Sequence, residues 1–110
     1  LFYLNQERSE VGYLKGSPQA IGGMKQKIQH YHEREIFLKK GDIIYLTSDG
    51  LMAQGDANVG KIGTNGFKKF VKEHADKPLL EQKEALQVLL KEYQSDQAQR
   101  DDILVFAIKL

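Results

Sequence analysis

Three carboxylates stand where this sequence passes between apolar and polar runs. Asp49 follows Ile43-Ile44-Tyr45-Leu46-Thr47 and is followed by Gly50, whereas Asp101 and Asp102 directly precede Ile103-Leu104-Val105-Phe106-Ala107-Ile108. Carboxylate oxygens are hard donors that suit Mg²⁺ or Mn²⁺. The chain has no cysteine and its histidines lie elsewhere, so the donor set does not resemble a zinc centre. Gly50 puts no side chain beside Asp49 and suits a place where an ion or ligand approaches the main chain. A carboxylate leaving a core needs a partner, because an unpaired buried charge is costly or shifts its pKa until neutral. Backbone donors, a Lys or Arg, or a cation would each serve.

Other candidate groups are weaker. His30 and His32 are two apart, so on a strand both imidazoles face one way and could bind a metal; without a third ligand nearby, a half-exposed strand face is the plainer reading. Ser48 has no accompanying base pattern and is no nucleophile. Gly55, Gly60, Gly63 and Gly66 match neither the P-loop nor the dinucleotide spacing, which leaves a flexible loop. Lys39-Lys40 and Lys68-Lys69 could touch a substrate's phosphate groups, but read more simply as solvated surface.

The elements that must position Asp49 follow from pattern. The uncharged run from Ile43 to Thr47 reads as a central strand buried on both faces, entered through the turn Lys39-Lys40-Gly41-Asp42. Leu1–Leu4 and Val11–Leu14 flank a polar stretch and predict a β-hairpin. Gly16-Ser17-Pro18 breaks it, Ala20-Ile21-Gly22-Gly23 allows close backbone approach, and Lys27 to Leu38 reads as an edge strand, bulged near His32 to Arg34. Gln54 to Gly66 predicts a loop; Asn65 then caps a helix with Phe67, Phe70, Val71 and His74 or Ala75 inward, which Asp76-Lys77-Pro78 ends. A second helix from about Leu79 to Tyr93 carries Leu79, Leu86, Leu89, Leu90 and Tyr93 on one face. Ser95 to Arg100 is polar linker, and Ile103 to Ile108 is a second central strand. If the two central strands run antiparallel, Asp49 and the Asp101-Asp102 pair meet at one sheet edge. Phe67, Phe70, Leu86, Leu89 and Leu90 are the expected core.

Composition narrows the class. The 110 residues are 41% hydrophobic, enough for one core, and 16 Lys+Arg against 15 Asp+Glu give no electrostatic case for nucleic acid or an anionic membrane. Neither a membrane span nor a signal peptide is visible, so the expectation is a cytoplasmic segment, which a larger membrane-anchored sensor could also contain. Leu1-Phe2-Tyr3-Leu4 begins as if already inside a strand, as in a piece of something longer.

Gly41 to Gly50, followed by Gln99-Arg100-Asp101-Asp102-Ile103-Leu104-Val105-Phe106-Ala107, resembles the closing two motifs of the metal-dependent serine/threonine phosphatases, the PPM family, especially the bacterial branch typified by the stage II sporulation phosphatase. Leu14 to Gly23 is similar to the segment preceding them in that branch. The resemblance spans residues 1–110 but only the C-terminal part of the family domain. It implies an α/β (α+β) fold, an antiparallel β-sandwich with helices packed on the sheet. It implies Mn²⁺ or Mg²⁺ in a two-metal centre, with Asp49 and Asp101 as ligands and Asp102 at the adjacent position. The remaining ligands fall outside this chain, so alone it should bind metal poorly and turn over little. The stretch Ala53-Gln54-Gly55 departs from relatives that carry an acidic residue there. The implied reaction is attack of metal-activated water on a phosphoserine or phosphothreonine protein in bacterial signalling, such as an anti-anti-sigma-factor-like partner. The alternative is a non-catalytic, phosphatase-like module that binds a protein. Half a sandwich also exposes strand edges and apolar faces, which favours self-association.

Overall fold

A computed structural model of the protein describes residues 1–6, 10–15, 35–56, 60–94 and 102–110. Asp101, His30, His32, the segment 20–23, the bulge at 32–34 and the linker 95–100 lie outside the described residues. The elements run β1 (Phe2–Asn5), β2 (Glu10–Tyr13), β3 (Ile43–Thr47), α1 (Asp49–Ala53), β4 (Gly55–Asp56), β5 (Gly60–Lys61), α2 (Gly63–His74), α3 (Leu79–Gln94) and β6 (Val105–Lys109). A four-stranded antiparallel sheet takes the order β2-β1-β3-β6, and β4 and β5 form a separate two-stranded ribbon. The mixed α/β class and the N-terminal hairpin are as expected.

Alternation along the strands decides which face is covered. Phe2, Leu4, Ile43 and Tyr45 point to the helical side and are buried, with Phe67, Phe70 and Val71 of α2 and Leu86 of α3. Phe67 is the hub: its ring lies 4.7 Å from Phe2, 5.7 Å from Tyr45 and 5.9 Å from Phe70. The first two contacts are edge-on, the favoured arrangement for aromatic quadrupoles. The opposite side chains stay open: Leu46 is 45%, Phe106 54% and Ile108 41% exposed. β3 is therefore central but covered on one face only, and β6 pairs with β3 alone among the described residues. Length and apolarity had predicted two doubly buried strands. The open apolar face shows why that pattern misleads: apolar residues on both sides mark surfaces meant for covering, whether or not the cover is present.

Two polar devices fix the layers. Asp42 is buried, and its carboxylate accepts Lys39 N–H at 2.8 Å and Gln6 N–H at 3.0 Å, tying the β3 entry to the end of β1. Those backbone donors, Lys39 foremost and then Gln6, hold its carboxyl below the ordinary 3.8. Tyr45 donates to Gln82 Oε1 at 2.6 Å, and Gln82 Nε2 donates to Lys77 O at 2.9 Å. Burial pushes the Tyr45 hydroxyl up to about 12, so it remains a donor at neutral pH.

Four local expectations change. Residues 35–38 form no strand, since Lys39 is drawn into the Asp42 turn. The supposed loop from Gln54 contains the β4–β5 ribbon, closed by Ile62 N–H on Gln54 O at 3.1 Å. α2 begins at Gly63, whose positive φ of 65° a side chain would resist, so Asn65 lies inside the helix rather than capping it. Leu89 and Leu90 are only partly buried, while Gln82 takes a core position that its polarity concealed.

Two outcomes check this packing. Leu86→Ala should lower unfolding stability by about 2–3 kcal/mol and Leu89→Ala by about 1 kcal/mol or less, measured by urea titration. Asp42 has a depressed folded pKa, so its contribution is complete above the unfolded value and disappears as pH falls through the folded one. The stability gap between wild type and Asp42→Ala should therefore be widest at neutral pH and narrow as pH falls below the ordinary 3.8. A gap independent of pH would show that Asp42 acts through packing alone.

Candidate metal centre

β3 and β6 run antiparallel with Thr47 opposite Val105, Leu46 opposite Phe106 and Tyr45 opposite Ala107. One residue beyond this ladder, Ser48 N–H donates to Leu104 O at 2.9 Å. The Ser48 hydroxyl donates to Asp102 O and accepts Leu104 N–H, each at 2.9 Å. Three bonds from one residue thus hold the end of β3 against the segment entering β6. Ser48 occupies the N-cap of α1 but makes no side-chain cap, its hydroxyl being engaged across the strands.

Asp49 is the next residue. It opens α1, where a negative side chain is favoured by the helix dipole, and it is exposed. Gly50 and Leu51 behind it are buried, anchoring the short helix in the core. Sequence pattern had ended a strand at Asp49; the helical turn Asp49–Ala53 went unforeseen because five residues carry no readable helical period. The two strands do run antiparallel, the condition on which their carboxylates would meet. Their pairing brings the main chain of Asp102 to Ser48, the neighbour of Asp49; Asp102 is exposed, and Asp101 lies outside the described residues.

The donors at this edge are hard oxygens on exposed carboxylates beside a glycine, the chemistry of a Mg²⁺ or Mn²⁺ site. Among the described residues no three His, Cys, Asp or Glu side chains gather closely enough to hold a metal ion. These residues fit such a cation in kind, and the described ones do not by themselves complete a site. Sequence reasoning missed Ser48, which it weighed only as a nucleophile. A hydroxyl at the end of one strand of an antiparallel pair was the available signal.

Comparison with known proteins decides the family. The family model described as Stage II sporulation protein E (SpoIIE) matches residues 1–110. This chain belongs to the SpoIIE family. A solved structure titled as the SiaA-PP2C domain of Pseudomonas aeruginosa is similar with a TM-score of 0.83 and 34% sequence identity, over 99% of this chain and 42% of that one. The SpoIIE-family chain thus spans less than half the length of that neighbour and is a PPM-type, phosphatase-like fragment. No curated protein matches it. No helix among its described residues is long and apolar enough to cross a membrane.

Removing the Ser48 hydroxyl should loosen this edge. Ser48→Ala is expected to cost about 1–2 kcal/mol and to raise hydrogen exchange at the Leu104 amide more than at Tyr45. Unchanged protection at Leu104 would show that the strand ladder holds the edge without the hydroxyl.

Proposed function

We propose that this chain is the C-terminal part of a metal-dependent protein serine/threonine phosphatase, with Asp49, Asp101 and Asp102 holding Mn²⁺ or Mg²⁺ beside Gly50. The observation that carries the reading is the β3–β6 ladder extended by Ser48, which joins the Asp49 turn to the segment beginning at Asp102. SpoIIE-family membership and the PP2C neighbour support the reaction class.

Within this reading Asp49 and Asp101 are the principal ligands, Asp102 stands at the adjacent position, and Gly50 lets the ion approach the backbone. Ser48 is a positioning residue that holds the two ligand-bearing segments together. Cations held by these residues would supply Lewis-acid activation of a water and stabilisation of charge developing on the phosphoryl group. The substrate class is a phosphoserine or phosphothreonine protein of bacterial signalling, such as an anti-anti-sigma-factor-like partner, met in the cytoplasm. The remaining ligands belong to protein outside these 110 residues, so the chain alone should turn over little. A second reading, a phosphatase-like module that binds a protein without catalysis, is favoured by the open apolar face at Leu46, Phe106 and Ile108; that face also supports self-association of the isolated chain.

The test is metal-dependent hydrolysis of a phosphoserine protein by the full-length protein, together with apo melting temperatures. Asp49→Asn and Asp101→Asn should each lower turnover by orders of magnitude, with the apo fold retained. Wild-type turnover in both variants would remove them from the metal centre, and loss of the apo fold would assign them structural ion pairs. Absence of metal-dependent turnover in the wild type would favour the binding module.

A further inference from the structure

A pocket of about 220 Å³ lies between the helices and the β3–β6 pair. Phe70, Leu79 and Leu86 line its apolar side, with the fully buried Phe67 behind them, and Val105 and Ala107 of β6 line another. The pocket opens to solvent on one side, and its volume exceeds the roughly 150 Å³ in which an enclosed apolar cavity takes up benzene. The space is therefore large enough for a single ring.

Its polar features are few and placed at separate points. Tyr45 and Gln82 line it with their hydrogen-bonded pair; the Tyr45 oxygen retains accepting capacity and the Gln82 amide a second hydrogen. Both residues are buried, so this pair is a fixed part of the lining. Lys83, the next residue on α3, also lines the cavity, and it is exposed. An apolar interior with one ammonium at its rim is complementary to a molecule with an apolar body and a single negative end.

We propose that this pocket binds a small aromatic or branched aliphatic carboxylic acid, its ring or branched body against Phe70, Leu79 and Leu86 and its carboxylate at Lys83. The occupant touches β6 directly at Val105, which pairs with Thr47 next to Ser48. Occupancy would thereby bear on the strand pair that ends at the candidate metal centre. The binding claim itself is independent of the phosphatase reading.

Phenylacetate and the neutral benzyl alcohol are the probes, followed by ligand-observed NMR on the full-length protein with folding monitored by melting. Phenylacetate should bind saturably and be displaced by benzyl alcohol. Ala107→Leu and Leu86→Phe, which fill the space, should each abolish binding without lowering the melting temperature. Lys83→Gln should weaken phenylacetate by up to about fivefold, the scale of an exposed ion pair, while leaving benzyl alcohol unchanged. Lack of saturable binding, or binding that survives both filled variants, overturns the site. Equal phenylacetate affinity in wild type and Lys83→Gln overturns the acid assignment. If both filled variants unfold, the contrast between the two probes in Lys83→Gln decides.

Discussion

The structure depends on the antiparallel registration of β3 with β6. These strands are distant in sequence, and their pairing closes the long loop that contains α1, the β4–β5 ribbon and both long helices. At one end Gly41 N–H reaches Leu110 O at 2.7 Å and Leu110 N–H reaches Asp42 O at 2.9 Å; at the other Ser48 grips residues 102 and 104. A slip by one residue would turn Tyr45 away from the core and bring Leu46 in, breaking the Tyr45–Gln82 bond and the contact with Phe67. Registration therefore sets the core and the candidate metal edge together.

The division of labour follows from that constraint. Helices α2 and α3 cover one face of the sheet, and Phe67 links β1, β3 and α2 through ring contacts that leave little freedom for any of them. Asp49 needs none of this packing for itself, because it is exposed; it needs Leu51 and Gly50 buried behind it and Ser48 held in front. The carboxylate is thus exposed while its backbone is fixed, the arrangement the proposed ligand role requires. The apolar side chains of the opposite sheet face belong to a surface built for covering, consistent with a chain that matches 42% of its PP2C neighbour.

Much of this was legible in the residues. The hairpin, the turn at Gly41, the two long helices and the apolar strands that became β3 and β6 follow from alternation, helical spacing and turn chemistry, and the motifs around Asp49 and Asp101 indicated the family; the antiparallel pairing of β3 with β6, left open by the sequence, is set by the fold. What escaped notice depended on tertiary context. Gln82 is polar yet buried because Tyr45 and Lys77 O satisfy it; Leu89 fits the same stripe as Leu86 yet remains half-exposed. The start of α2 at Gly63 had no side-chain cap to announce it, and Ser48 revealed its role only when its strand partner was known.

In the proposed reading, one ladder brings two distant segments to the same metal centre. Mn²⁺ is paramagnetic, so titrating it into the isotopically labelled full-length protein reports distance to the ion through line broadening. The account predicts that the amides of Gly50 and Leu104 broaden together at the lowest Mn²⁺ additions, and that excess Mg²⁺ restores both. Broadening of either amide without the other, or of neither, would contradict it.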